Sequence, residues 1–189
     1  MLFRSDAVQA LAKIPTEKYL TDRVDFATFS SHKFHGVRGV GFVYIKSGKK
    51  ITPLLTGGGQ ERDYRSTTEN VAGIAATAKA LRLAMEKLDL FTSKTSQMKA
   101  VIRQALLDYP DIFVFSGEED FAPHILTFGI KGVRGEVIVH AFEDYDIFIS
   151  TTSACSSKAG KPAGTLIAMV QLHISPNLVQ FEEISLNQD

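Results

Sequence analysis

The stretch DFATFSSHKFHGVRGVGFVYIK, residues 25–46, decides the fold of the first part of this chain. Its segments DFATF and VGFVYI are short, aromatic and β-branched, and they flank a polar, glycine-containing turn, a pattern that predicts two strands. Lys33 follows the first strand, where α/β sheets place their binding sites. Ser30 and His32 offer donors suited to a phosphate, and the Lys33 amine is able to bond a carbonyl carbon. A solvated turn lysine is the alternative for so short a motif.

The composition is that of a globular protein without a charge bias. Of the 189 residues 44% are hydrophobic, and 21 basic residues balance 21 acidic ones. The chain is long enough to bury a core. The absence of a net positive field disfavours nucleic acid and anionic membranes as partners. No apolar run reaches membrane-spanning length, and the N-terminus lacks the apolar core of a secretory signal, so we expect a cytoplasmic protein.

Beyond residue 46 the pattern predicts two helices and then further strands. NVAGIAATAKALRLAMEKL has apolar residues at helical spacing, with a candidate cap at Ser66 or Thr67, and SQMKAVIRQALLDY is a second amphipathic segment. Residues 111–150 alternate like strands, although GEVIVHAFE also fits a helical period. We expect a small α+β layer with an antiparallel sheet, followed by a loop and a short apolar helix, TLIAMVQL.

Four stretches together resemble the cysteine desulfurases and related class V aminotransferases, pyridoxal-phosphate enzymes of aspartate-aminotransferase type. They are SDAVQALAKIP, DFATFSSHKFHGVRGVGFVYI, GGGQERDYRSTTENVAG and TSACSS, in the family's order, and PHILTF is similar to a small-domain strand. The resemblance implies the C-terminal half of an α/β protein. Residues 1–60 would be a remnant of the cofactor-binding large domain, and residues 61–189 a small α+β domain with an antiparallel sheet.

The resemblance also implies roles for single residues. It implies that Lys33 bonds the aldehyde carbon of pyridoxal phosphate and that Asp6 pairs with the pyridine nitrogen. A carboxylate there keeps the nitrogen protonated, so that the ring accepts carbanion electrons. Gln9 matches the residue that hydrogen-bonds the ring hydroxyl, and Ser30 and His32 match phosphate ligands. No metal ligand is implied.

Thr68, in RSTTEN, matches a threonine that in this family reaches the phosphate of the neighbouring subunit. The match implies a homodimer with shared sites. Taken singly, a threonine here is more typical of a helix cap, and Asp6 of a turn.

The single cysteine, Cys155, lies in TTSACSSKAG, a loop of small and hydroxyl residues that favours an exposed, reactive thiolate over a buried one. The phrase SACSS is similar to the desulfurase loop that carries the nucleophilic cysteine. The resemblance implies L-cysteine as substrate, alanine and an enzyme persulfide as products, and a sulfur-acceptor protein as partner. The sequence around Cys155 is more similar to that of family members that serve a tRNA or thiamine sulfurtransferase than to that of members dedicated to iron–sulfur assembly.

Two departures from the family leave the activity open. The stretches that precede this half in the family supply a ring stacked on the pyridine and a phosphate turn, and Glu183 stands where the family usually has a carboxylate-binding arginine. The alternatives are therefore a selenocysteine lyase or another class V aminotransferase, or an inactive protein that acts in dimerisation or docking. Exposed sheet edges predict association with a second copy or another polypeptide.

Overall fold

The computed structural model of the protein describes residues 2–117 and 121–151 and the backbone of residues 182–185. Its contacts divide the chain into two compact units, residues 1–91 and 92–189. The expected division into a large-domain remnant over residues 1–60 and a small domain beyond it stays a prediction. In the described part of the chain, no helix is long and apolar enough to cross a bilayer.

The first unit contains a three-stranded sheet. Its strands are β1 (Arg4–Asp6), β2 (Phe26–Ser30) and β3 (Gly41–Ile45). β2 lies in the middle, parallel to β1 and antiparallel to β3, so the two strands predicted within residues 25–46 are confirmed. Along β2, Ala27 and Phe29 are buried in the core, whereas Thr28 is exposed and Ser30 is half-buried. Because side chains alternate along a strand, Thr28 and Ser30 share the face opposite the core.

The core of the first unit packs against that buried face of β2. Its buried members are Ala7, Leu11, Ala12, Val24, Ala27, Phe29 and Phe34, and the partly buried Ala80, Leu81 and Ala84 pack against them. The last three come from helix α1 (Val71–Glu86), where Ala80 and Leu81 precede Ala84 by four and three residues, the spacing of one helix face. The ring of Phe42 on β3 stacks on Phe29, with 4.8 Å between the ring centroids.

Helix α1 begins at an asparagine cap. The Asn70 side chain accepts a hydrogen bond from the Gly73 amide at 3.0 Å, which satisfies one of the free amides of the first turn. The cap expected at Ser66 or Thr67 is wrong, because the capping side chain sits immediately before the first helical residue and Asn70 holds that position.

Asp25 ties together the strand ends that lie away from Ser30. Its carboxylate accepts a hydrogen bond from the Phe3 amide at 2.9 Å and forms an ion pair with Lys49 at 3.0 Å. Its backbone carbonyl accepts from the Lys46 amide, also at 2.9 Å. The Phe3 bond first, and then the Lys49 bond, hold the pKa of the Asp25 carboxyl below its ordinary value.

The second unit contains an antiparallel sheet beside two helices. The elements are α2 (Leu88–Leu107), which begins in the first unit, β4 (Ile112–Val114), β5 (Ile125–Ile130), α3 (Gly135–Glu143), β6 (Ser150–Thr151) and β7 (Glu182–Ser185). The strand order is β4-β5-β7-β6 and every pair is antiparallel, so the expected α+β layer is confirmed. Leu126 and Phe128 on β5 are buried, and Ile102 and Leu106 of α2 pack against them.

Two segments of the second unit differ from the strand pattern. GEVIVHAFE forms helix α3, because Ile138 is buried and Phe142, four residues later, packs against the second core, while Val137 is exposed. In DIFIS, Asp146 has a left-handed φ of 58°, and the strand begins only at Ser150. The expected helix TLIAMVQL lies outside the described residues.

Candidate functional site

Asp6 and Ser30 end two neighbouring parallel strands. The register pairs Asp6 with Thr28, and Ser30 is the last residue of β2, two positions further on. Directly paired residues of parallel strands, and residues two apart on one strand, point to the same face. Asp6, Thr28 and Ser30 therefore lie on one face, at the carboxyl ends of β1 and β2 and opposite the core. The carboxyl ends of parallel strands are where α/β sheets bind ligands.

Lys33 lies in a 3₁₀ turn, Ser31–Phe34, that follows β2 without a break. Ser31 and Phe34 are buried, His32 is exposed and Lys33 is half-buried. Residues three apart are eclipsed in a 3₁₀ turn, so Ser31 and Phe34 share the inward side and His32 and Lys33 are left toward the outside. The turn ends at His35, which has a left-handed φ of 64°.

A buried serine anchors this turn. The Ser31 side chain is fully buried, and its Oγ accepts a hydrogen bond from the Thr77 hydroxyl of α1 at 2.9 Å. The Ser31 amide donates to the Val40 carbonyl and the Ser31 carbonyl accepts from the Gly36 amide, both at 3.0 Å. Sequence reasoning missed Ser31 and Thr77, because no local pattern links residues 46 positions apart.

Asp6 also orders the backbone that follows it. Its Oδ1 accepts a hydrogen bond from the Val8 amide at 3.1 Å, the bond of an Asx turn, and its side chain remains exposed. Asp6 therefore has the turn role that its sequence context predicts. Its carboxylate also stays accessible to solvent.

The remaining site candidates are not joined to this edge by a described contact. Gln9 and Thr68 are exposed, and within the described part of the chain their side chains make no hydrogen bond. Cys155 lies outside the described residues. The backbone of Glu183 belongs to β7, paired with Thr127 and Ser150.

A second lysine, which sequence reasoning also missed, lies within electrostatic reach of Lys33. Burial lowers the pKa of Lys13, and the like charge of Lys33 lowers it further. The Lys13 ammonium lies 5.5 Å from the centroid of the Phe91 ring, a cation–π distance. The charge of Lys33 is therefore the second cause, after burial, that lowers the pKa of Lys13.

A comparison with known families identifies the chain. Residues 1–176 match the sequence profile described as aminotransferase class-V. The chain belongs to this family. The class-V assignment agrees with the order of the lysine turn, the RSTTEN segment and the SACSS segment along the sequence.

The most similar class-V relatives include proteins named for cysteine desulfuration. A "NifS/IcsS protein homolog" of Lactobacillus delbrueckii subsp. bulgaricus is 51% identical over 168 residues, which are 88% of this chain and 44% of the relative. A "Cysteine desulfurase" of Trichormus azollae is 37% identical over 169 residues, 89% of this chain and 42% of the relative. The chain therefore spans less than half the length of these relatives.

Solved structures agree on the fold. A structure described as a "NIFS-LIKE PROTEIN" superimposes with a TM-score of 0.80 at 33% identity, over 98% of this chain and 47% of the other. This likeness confirms the expected pyridoxal-phosphate fold of aspartate-aminotransferase type. The expectation that the chain corresponds to the C-terminal half of a full-length member stays a prediction.

Proposed function

We propose that this chain forms the lysine-bearing part of a pyridoxal-phosphate site of a cysteine desulfurase. One observation carries the proposal: Asp6 and the turn with Lys33 occupy the carboxyl ends of two neighbouring parallel strands, and Asp6 and Ser30 share one face. Relatives that are 37% and 51% identical and carry desulfurase or NifS/IcsS names support the reaction class.

The side chains at this edge fit the chemistry of the cofactor. Pyridoxal phosphate presents a dianionic phosphate, an aldehyde and a pyridine nitrogen. Ser30 and His32 supply donors for an anion, the half-buried Lys33 supplies an amine, and Asp6 supplies an exposed carboxylate. When bound, the cofactor supplies a ring that accepts electrons from the substrate carbon.

Each of these side chains has a distinct task in the proposal. Ser30 and His32 would bind phosphate oxygens, and the Lys33 amine would hold the cofactor at its aldehyde carbon and, when free, would be a base at the same point. The Asp6 carboxylate holds a proton on the pyridine nitrogen. The Val8 amide orients that carboxylate through Oδ1. Gln9 binds the ring hydroxyl, and Thr68 binds the phosphate of a second copy in a homodimer.

The sulfur chemistry belongs to Cys155. In the proposed reaction the Cys155 thiolate forms an S–S bond with the sulfur of L-cysteine while the Cβ–S bond of the substrate breaks and its Cβ takes a proton. The products are alanine and a persulfide on Cys155, and the persulfide sulfur passes to an acceptor protein. The sequence around Cys155 favours a sulfurtransferase that acts on tRNA or thiamine as the acceptor. The proposed reaction takes place in the cytoplasm.

A second candidate, a non-catalytic protein that docks or dimerises, is favoured by a separate observation. The side chains of Phe42, Val43 and Tyr44 on β3 are each between 38% and 45% exposed. They form apolar surface on both faces of an edge strand, which is the kind of surface that associates. Glu183, at a position where the family usually has arginine, also favours this candidate.

Reductive labelling tests whether the chain binds pyridoxal phosphate at Lys33. The chain is incubated with pyridoxal phosphate, reduced with borohydride and digested, and the labelled peptide is identified by mass spectrometry. We expect the label on Lys33, with Lys33→Ala abolishing it and the exposed Lys50→Ala leaving it in place. If the label were instead distributed over the lysines according to their exposure, the proposal would be contradicted.

Turnover distinguishes the two candidates. With L-cysteine and pyridoxal phosphate, a desulfurase releases alanine, and Cys155→Ala stops this release while Lys33 labelling persists. Labelling without alanine release in the parent chain would leave the docking protein as the better description. Light scattering at micromolar concentration tests the association that both candidates predict.

A further inference from the structure

A buried hydrogen bond joins Ser31, two residues before Lys33, to Thr77. Ser31 is 0% exposed and Thr77 is 6% exposed. A buried hydroxyl costs free energy unless it is hydrogen-bonded, and here the two hydroxyls satisfy each other at 2.9 Å. The bond joins the turn that carries Lys33 to a helix that begins forty residues later in the sequence.

Ser31 is fixed from three directions. Its amide is bound to Val40, its carbonyl to Gly36 and its hydroxyl oxygen to Thr77. Lys33 follows two residues later within the same turn. Rotation of the turn about Ser31 would break at least one of these bonds, so the direction in which Lys33 leaves the backbone depends on them.

Helix α1 is held close to this turn by a second contact. Gly73 and Thr77, the two buried residues of α1, are four positions apart and share one face of the helix. A Cβ added at Gly73 would lie 2.8 Å from Cγ2 of Val40, so the glycine permits a close approach of helix and loop. Thr77 therefore meets Ser31 on a helix face that already lies against Val40, whose carbonyl binds the Ser31 amide.

We infer that Ser31 and Thr77 are positioning residues, whose hydrogen bond sets the place at which the Lys33 amine is presented. The inference rests on the proposed function only in assigning an aldehyde to Lys33. The effect of the hydrogen bond on the turn does not depend on any cofactor. A misplacement of about 1 Å at a reacting group costs about a hundredfold in rate, so a small shift of the turn is enough to change how the Lys33 amine reacts.

Thr77→Val tests the inference, because valine keeps the shape of threonine and removes the donor. Hydrogen exchange is followed at the Ser31 and Gly36 amides, which donate the backbone bonds at the two ends of the turn. We expect both to exchange about fivefold faster, since a hydrogen bond contributes on the order of 1 kcal/mol to a local opening. Thr77→Ser keeps the hydroxyl and should restore the parental rates.

A cofactor-free measurement reports on Lys33 directly. A small acylating reagent is added, and the modification of Lys33 is compared with that of exposed Lys50 in the same digest. We expect the ratio to rise in Thr77→Val, because the half-buried lysine becomes more accessible, and to stay parental in Thr77→Ser. The control Thr95→Val replaces a buried helical threonine of the second unit and should change neither the ratio nor the two amides.

The outcomes separate the inference from the proposed function. Exchange rates and an acylation ratio that stay parental in Thr77→Val would overturn the inference, even if pyridoxal phosphate labels Lys33. If those values shift but no variant takes the label at Lys33, the positioning holds and the proposed cofactor chemistry fails. If Thr77→Val does not fold, Ser31→Ala removes the acceptor instead, and the same two readouts decide.

Discussion

Gly36→Ala is the substitution for which the structure makes the sharpest prediction. A Cβ at this position would lie 1.9 Å from Oγ of Ser31, 2.9 Å from the Ser31 carbonyl oxygen and 3.1 Å from its Cβ. The first two distances are shorter than any ordinary contact. Ser31 is fully buried and bound to Thr77, so any movement of its hydroxyl disturbs that hydrogen bond.

The magnitude follows from the two ways in which the chain can relieve the overlap. Either the Ser31 hydroxyl rotates and its bond to Thr77 breaks, or the turn opens and the bond between the Gly36 amide and the Ser31 carbonyl breaks. Overpacking costs about 1–3 kcal/mol and a lost hydrogen bond about 0.5–1.5 kcal/mol. We therefore expect Gly36→Ala to lower the free energy of unfolding of the first unit by about 2–4 kcal/mol.

Urea unfolding with hydrogen exchange as the probe measures this loss. The chain has two compact units, so a global signal need not be two-state, and the amides of β2 report on the first unit alone. Ser31→Ala removes the 1.9 Å overlap but leaves the overlap with the carbonyl oxygen. The double variant should therefore recover about 1 kcal/mol or more of the loss, a coupling typical of residues in contact.

A second glycine serves as the comparison. Gly48 has a left-handed φ of 80° and no atom within 4 Å of an added Cβ, so Gly48→Ala costs backbone strain of about 1–2 kcal/mol without any overlap. Ser31→Ala should leave that loss unchanged. The reasoning fails if Gly36→Ala is as stable as the parent chain, or if Ser31→Ala rescues both glycine variants equally.

Three further predictions concern charges and a helix end. Because the pKa of Asp25 is lowered, its stabilising effect is complete above the unfolded value of 3.8 and is lost as the pH falls through the lower folded value. In Asp25→Asn the midpoint of urea unfolding should therefore fall less steeply as the pH is lowered in this range. Asn70→Ala removes the cap of α1 and should cost about 0.5–2 kcal/mol in the same urea experiment, with Asn70→Ser close to the parent. In Lys33→Ala the pKa of Lys13 should rise yet stay below its ordinary value, because burial remains, and an unchanged pKa in an NMR titration would place the two amines too far apart.

Local sequence pattern predicted the elements that carry the site. The alternation of DFATF and VGFVYI predicted β2 and β3, and the helical spacing after Asn70 predicted α1. It failed where a short segment fits two periods: GEVIVHAFE became helix α3 because packing against the second core, not alternation, decided its form. At DIFIS a single left-handed residue, Asp146, overrode β-propensity.

The assembly of the site was beyond pattern alone. Nothing within SDAVQ or SSHK states that β1 and β2 pair in parallel with Asp6 beside Thr28, and the shared face of Asp6 and Ser30 depends on that pairing. Family resemblance named Asp6 and Lys33, while the contact of Ser31 with Thr77 is a non-local packing detail that a single sequence does not display. The assignment of Cys155 stays a prediction.

The bond between Ser31 and Thr77 also constrains when the lysine turn is completed during synthesis. A nascent chain that has left the ribosome only as far as β3 already contains Lys33, yet the serine hydroxyl beneath it has no threonine to meet. Contacts between distant positions form late in folding because closing the intervening chain costs entropy. The Lys33 amine therefore reaches its final orientation only after α1 has emerged and docked.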